Sequence, residues 1–121
     1  MNPLVSVIVP IYNAAPFLKE TLDSIIASTY RPIEIVMVDD GSQDNSLNIA
    51  QDYCTYHPDC VVIAQANQGV SAARNKAIQS AQGTYILPVD ADDKIGDTFI
   101  QQAVEVMEKN DNIRVVGCRC W

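Results

Sequence analysis

The stretch Thr84-Tyr85-Ile86-Leu87-Pro88-Val89-Asp90-Ala91-Asp92-Asp93 decides the architecture. Its apolar half is short and lacks strict alternation, which is the pattern of a strand buried on both faces of a parallel sheet. It then ends in three carboxylates within four residues. Like charges this close repel, so their concentration at the end of a buried strand needs a physical reason. Pro88 cannot donate to a ladder, so it is expected at a strand end or a bulge.

The flanking sequence repeats the theme. Leu4-Val5-Ser6-Val7-Ile8-Val9 reads as a first buried strand, ended or bent by Pro10. Pro16 suits a first helical turn, and Phe17, Leu18, Leu22, Ile25 and Ile26 make an apolar helical stripe that Arg31-Pro32 stops. Ile33 to Val38 is a second strand, followed by the turn residues Asp39-Asp40-Gly41-Ser42. A helix is expected from about Asn45 to His57, with Leu47, Ala50 and Cys54 on one face. Val61 to Ala64 is a third strand, and Val70 to Ala81 a helix with Ala73, Ala77 and Ala81 inward. Gly83 reads as that helix's C-terminal cap. Tyr85 to Val89 is a fourth strand, Phe99 to Lys109 a helix and Ile113 to Gly117 a fifth strand. This β-α alternation predicts an α/β fold: a mainly parallel sheet with helices on both faces and right-handed crossovers.

The alternation gives the carboxylates a common address. In a parallel sheet all C-terminal strand ends lie on one edge, and ligands bind outside it where the strand order reverses. Asp39 and Asp40 follow the second strand, and Asp90, Asp92 and Asp93 the fourth. Tyr12 and Asn13 follow the first, and Asn67 and Gln68 the third. All are expected on one rim. Asp90 and Asp92 are two apart, so both can point to one side of an extended chain. A hard divalent cation, Mg²⁺ or Mn²⁺, would cancel their repulsion and leave positions for phosphate oxygens. The alternative is that these acids cap helices or sit solvated in turns.

Composition narrows the class. The chain has 121 residues, 48% of them apolar, which suits one packed domain. Its net charge of -7 opposes nucleic-acid binding, which needs a basic face. No apolar run of about 18 residues is present. The start Met1-Asn2-Pro3-Leu4 does not resemble a secretory signal, so a cytoplasmic protein with reduced thiols is expected. The spacing Cys54-x2-His57-x2-Cys60, with Cys118 and Cys120, is not that of a standard zinc module, and ordinary thiols are favoured over a structural zinc.

Four segments together carry a resemblance: Val5 to Asn13, Glu34 to Asp44, Asn67 to Asn75, and Asp90-Ala91-Asp92-Asp93. In this order they resemble the family 2 glycosyltransferases over nearly the whole chain. The resemblance implies a GT-A fold, a Rossmann-like nucleotide-binding half, and use of a nucleotide-sugar donor with Mn²⁺ or Mg²⁺. It implies inverting transfer to an acceptor hydroxyl, on a saccharide or lipid-linked acceptor. By this resemblance Pro10, Tyr12 and Asp39 hold the base, expected to be uracil, with Tyr12 stacking and Asp39 accepting the imide N–H. Asn13 and Asp40 join the nucleotide site; Asp40 could instead cap the Gly41-Ser42 turn. Asn67 and Gly69 line the nucleotide loop. Arg74 lies near the phosphates or orients Asp90, Asp90 binds ribose or supports the metal, and Asp92 is the direct metal ligand, with Asp93 outside the first set. The family's catalytic domain is roughly twice as long, so residues 1–121 correspond to its nucleotide-sugar-binding part. The acceptor half is absent and the catalytic base is expected beyond Trp121. Such a truncated piece is expected to bind donor without turning over, to self-associate through the surface left uncovered, and in a longer protein to work at the cytoplasmic face of a membrane.

Rivals fail on motif placement. A dinucleotide oxidoreductase needs Gly-x-Gly-x-x-Gly where this chain has Pro10-Ile11-Tyr12-Asn13-Ala14-Ala15. A phosphatase or receiver domain needs an Asp after the first strand. A sugar-nucleotide nucleotidyltransferase needs a basic, Gly-rich loop there. A non-catalytic nucleotide-binding or assembly module remains the non-enzymatic alternative.

Overall fold

The computed structural model describes residues 2–109. The elements run β1 (Val5–Ile11), α1 (Ala15–Ile26), β2 (Ile33–Asp40), α2 (Ser46–Tyr56), β3 (Cys60–Gln65), α3 (Val70–Ser80), β4 (Tyr85–Pro88) and α4 (Phe99–Lys109). The strands form one parallel sheet in the order β3-β2-β1-β4. The expected fifth strand at 113–117 lies outside the described residues, as do Cys118 and Cys120. Among the described residues no helix is long and apolar enough to cross a membrane.

The alternation of side chains along β1 divides the core. Val5, Val7, Val9 and Ile11 face one side, where Leu18, Leu22 and Ile25 of α1, Ala50 and Tyr53 of α2, and Ile100, Val104 and Met107 of α4 close over them. Ile8 faces the other side with Val36 and Val38, against Ala73 and Ala77 of α3. Both alanines are fully buried, and their small side chains let α3 lie close to the sheet. Helices therefore cover both faces, as the continuous apolar runs require. Several expected core positions are less buried than their stripes imply, Ile26 and Cys54 being only partly buried. Phe17 is half exposed, because it lies past the end of the stripe and beside the strand ends. Leu47 is half-buried where Tyr53 is buried, and Ala81 is half-buried where α3 has already ended.

Both prolines cost the sheet nothing, for a geometric reason. Val89 N–H donates to the Ile8 carbonyl at 2.9 Å, so the Ile8 peptide groups face β4. Pro10 lies two residues on and faces the same way, but pairing with β4 stops at Ile8↔Pro88. Its missing N–H therefore breaks no ladder bond, and β1 runs on to Ile11, paired with Asp39 of β2, rather than ending at Pro10. Pro88 is the last residue of β4, with its nitrogen turned away from β1. The result is an opening between the C-terminal ends of β1 and β4.

Gly83 has a different job from the cap expected of it. The α3 C-cap is Ala81, in an extended conformation. Gly83 instead presses against β1: its N–H donates to Ser6 Oγ at 2.7 Å. Ser6 Oγ in turn donates to Glu34 Oε2, which also accepts from Gln82 N–H at 2.7 Å. A Cβ at position 83 would lie 2.7 Å from the Ser6 nitrogen and 2.9 Å from the Leu4 carbonyl oxygen. Both are backbone atoms that cannot swing aside. Gly83→Ala is thus expected to lower stability by about 1–3 kcal/mol, read as a reduced midpoint in urea unfolding.

Candidate functional site

The order β3-β2-β1-β4 places its reversal between β1 and β4. The chain moves outward from β1 to β2 and β3, then returns through α3 to the far side of β1. At the carboxyl ends of these two strands lies a cleft of about 390 Å³ lined by Pro10, Tyr12, Asn13, Ala14, Phe17, Val70, Arg74, Asp90, Ala91 and Asp92. This is where the topology alone locates a ligand.

On the β4 side, carboxylate oxygens of Asp90, Asp92 and Asp93 all lie within 4.8 Å of one another. Ala91 is buried, so Asp90 and Asp92 project together into solvent. Asp93 N–H donates to the Asp90 carbonyl at 3.0 Å, closing the turn. An all-oxygen, solvent-open set of this kind fits a hard cation that keeps water or phosphate oxygens. Arg74 reaches from α3 with Nη2 3.7 Å from Asp90 Oδ1, and its Nε is buried without a partner among the described residues.

On the β2 side, Asp39 and Asp40 are both buried at the strand end. Asp39 Oδ2 accepts from Ser42 N–H at 3.1 Å, while its Oδ1 is buried and has no partner among the described residues. Tyr12, between the two acidic groups, leaves half its surface exposed. Asp40 differs from its neighbour. Its carboxylate accepts from Gln65 Nε2 at 2.9 Å, Gln68 N–H at 2.8 Å and Gly69 N–H at 2.9 Å, with Asn67 Nδ2 at 3.3 Å. Asn67 Nδ2 also donates to the Asp40 carbonyl at 3.0 Å. Asp40 and Asn67 thus build the loop before α3 from within. Gly69, at φ 104°, gives that loop a conformation open to glycine. The turn that Asp39 closes at Ser42 is the one considered for Asp40.

With this geometry in place, relatives can be compared. The family model for glycosyl transferase family 2 matches residues 6–120. The chain belongs to this family. It is 47% identical over 118 residues to the uncharacterized glycosyltransferase EpsJ of Bacillus subtilis, covering 98% of this chain and 34% of that protein. It is 39% identical to the glycosyltransferase GlyG of Streptococcus pneumoniae, covering 97% of this chain and 39% of that one. Among solved structures, residues 1-349 of S. aureus TarS in complex with UDP superpose with a TM-score of 0.80 at 31% identity, over 88% of this chain and 32% of that one. The mannosyltransferase PcManGT from Pyrobaculum calidifontis, in complex with GDP-Man and Mn²⁺, gives 0.82 at 31% identity, over 88% of this chain and 33% of that chain. The fold is the GT-A fold of these family 2 enzymes. The chain spans about a third of the length of the relatives it matches.

The family 2 chain also uses residues to which the sequence reading gave no role. None of α1, α2 or α3 is capped by the side chain of its own N-cap residue. For α1 and α2 the loop after β2 does it instead. Asp44 accepts from Ala15 N–H at 3.1 Å and Ser46 N–H at 2.9 Å, at the starts of α1 and α2. Ser46 Oγ accepts from Ala14 N–H at 2.9 Å, and Ser42 Oγ from Asn13 N–H at 2.9 Å. Asn13, at φ 50°, returns the contact by accepting from Gln43 N–H at 2.8 Å. Asn13 therefore joins the two loops flanking Tyr12. A Ser/Asp-rich turn is the sequence signal, but it does not say which helix is capped.

The thiols of Cys54 and Cys60 lie apart from the rim. Burial, then the neighbouring Cys54 and Asp59, pushes the Cys60 thiol up to about 12, and burial raises Cys54 as well. Both stay protonated near neutrality. His57 stacks on Tyr53 with centroids 4.2 Å apart. Among the described residues the one group of three converging metal-type ligands is Asp90, Asp92 and Asp93.

Burial raises the proton affinity of Asp40, but the hydrogen bonds from Gln65, Gln68 and Gly69 outweigh it, so its pKa falls below 3.8. Asp44 is lowered too: burial opposes, and bonds from Ser46 and Ala15 prevail. A depressed folded-state pKa contributes stability that is complete above the unfolded value and lost as pH falls through the folded one. Urea unfolding should therefore show stability falling as pH drops from about 5 to about 3. Asp40→Asn should be less stable at neutral pH by about 1–3 kcal/mol and show a shallower acid dependence.

Proposed function

We propose that residues 1–121 form the nucleotide-sugar-binding part of a GT-A glycosyltransferase domain. It holds a UDP-linked sugar whose glycosyl group passes, with inversion, to an acceptor hydroxyl on a saccharide or lipid-linked acceptor. The acceptor site and catalytic base belong to residues beyond Trp121, so the chain binds donor without transferring it. The observation that carries this reading is Asp39 Oδ1: a buried carboxylate oxygen with no partner among the described residues, at a strand end paired with Ile11, the residue before the half-exposed Tyr12. A buried unpaired oxygen is costly, and a ligand N–H removes the cost.

Asp39 offers one free oxygen, because Ser42 N–H holds the other. One acceptor suits the single imide N–H of uracil better than the adjacent N–H groups of guanine. Tyr12 supplies the stacking face, with Pro10 and Asn13 shaping the cleft beside it. Asn67 and Gly69 complete the rim of the base site through the loop that Asp40 organises.

The diphosphate poses a harder problem. In dinucleotide-binding folds a helix N-terminus meets the phosphate charge. Here the starts of α1 and α2 are already met by Asp44 and Ser46, and Asp40 holds the loop that leads into α3. The chain is acidic overall, and Arg74 is the cation lining the cleft. Asp92 and Asp90 would hold Mn²⁺ or Mg²⁺, consistent with the Mn²⁺ of the PcManGT complex. When bound, the ion supplies Lewis-acid stabilisation of charge on the departing diphosphate. Arg74 then orients Asp90 and faces the phosphates.

Titration calorimetry with UDP, in Mn²⁺ and in chelator, tests the reading. UDP should bind more tightly with Mn²⁺, and Asp92→Asn should abolish that difference while leaving binding in chelator intact. Asp39→Asn turns an amide N–H toward the imide and should weaken UDP roughly 10- to 100-fold in both conditions, as expected for losing a bond to a charged group. Metal-independent UDP binding would remove Asp92 from its assigned role. Failure of the folded chain to bind UDP at millimolar concentration, or efficient sugar transfer by it, would overturn the assignment of the chain as donor-binding part.

A further inference from the structure

We propose that Thr21 of α1 is a positioning residue for the cation site, acting through the backbone of Ala91. The inference rests on the cation reading above. Thr21 is 1% exposed and lies in the apolar face of α1, between the buried Leu18, Leu22 and Ile25. A hydroxyl there needs a partner. An ordinary helical threonine bonds back to the carbonyl four residues earlier. Here that contact, to the Phe17 carbonyl, is the longer at 3.2 Å, and the Ala91 carbonyl lies at 2.8 Å.

Ala91 is the residue between Asp90 and Asp92. Its carbonyl is held by this buried side chain of another element, which fixes the Ala91–Asp92 peptide plane from which Asp92 projects and restrains the turn that carries Asp90. Ser24, one turn further along α1, accepts from Ile95 N–H at 3.2 Å and donates to the Thr21 carbonyl at 2.7 Å. The loop is thus held by α1 at both ends. Lys94 and Glu20 also meet at 3.1 Å, but both are well exposed, and such a pair adds little. Three carboxylates that repel one another would relax apart on a free loop. A rigid backbone keeps their oxygens converged before the ion arrives, as supporting hydrogen bonds do for metal ligands generally.

Thr21→Val keeps the shape and removes the donor, whereas Thr21→Ser keeps the donor and removes a methyl group. Mn²⁺ binding is measured alone by electron paramagnetic resonance, and UDP affinity by calorimetry with Mn²⁺ and with chelator. Thr21→Val should weaken Mn²⁺ roughly tenfold and shrink the Mn²⁺-dependent gain in UDP affinity by a similar factor, with UDP binding in chelator unchanged. Thr21→Ser should remain within about twofold of wild type in all three. A purely structural role would leave the chelator and Mn²⁺ affinities moving together. Wild-type Mn²⁺ affinity in Thr21→Val, or equal losses in Val and Ser variants, overturns the proposal while sparing the cation site. A wild-type chain that binds no Mn²⁺ at millimolar concentration overturns the cation site and this inference with it. Should Thr21→Val fail to fold, Ser24→Ala releases the other end of the same loop and should give a smaller loss of Mn²⁺ affinity, within about threefold; an unchanged affinity there counts against the loop being held by α1.

Discussion

The rim depends on carboxylates meeting backbone N–H groups. A parallel α/β unit brings several helix N-termini to the same edge, each with N–H groups that its own helix cannot satisfy. In this chain Asp44, just after β2, meets two of them, at the first residues of α1 and α2, with Ser46 adding a bond to the residue before α1. Asp40, at the end of β2, instead holds the Gln68 and Gly69 N–H groups of the loop before α3. These bonds link segments far apart in sequence, so they order Tyr12, Asp39 and the loop before α3 relative to one another. One short turn thereby holds the Tyr12 and Asp39 side of the cleft.

That solution has an electrostatic consequence. Helix N-termini that bind the protein's own carboxylates no longer attract a phosphate. An acidic rim that is to hold a diphosphate then needs another positive charge, and the chain has a matching acidic cluster across the cleft, at Asp90, Asp92 and Asp93. The two acidic groups look alike in sequence yet do opposite things. The β2 acids are buried and turned inward to amides; two of the three β4 acids are exposed and turned outward. The difference follows from their neighbours: Gly41 and Ser42 fold the chain back over Asp39 and Asp40, whereas buried Ala91 pushes Asp90 and Asp92 out.

The opening between β1 and β4 comes from two residues usually unwelcome in sheets. Pro10 and Pro88 lack donors, and each lies where a donor is not used, one past the last β4 pair and one on the side of β4 away from β1. Ladder pairing stops early on one side of β1 and continues on the other. The cleft is a direct result, and Gly83 holds the opposite end of the same strand pair in close contact.

Much of this was legible in the sequence. β-branched runs alternating with helical stripes determined the α/β class, the strands and helices up to Lys109, and the common edge for Tyr12, Asp39 and Asp92, because periodicity and connectivity are local properties of a chain. The family followed from four motifs in order. What tertiary structure alone decided was which atoms remain free. Asp39 and Asp40 are adjacent, identical in type and both buried, yet one keeps a bare oxygen and the other is wholly engaged. Gly83 looked like a cap and is a contact; Phe17 looked like core and lines the cleft; Asp44 and Thr21 showed no role until α1 was placed beside two loops. Hydrogen-bond partners distant in sequence arise only when the chain is folded, and at this rim they separate the residues that build the site from those left to meet a ligand.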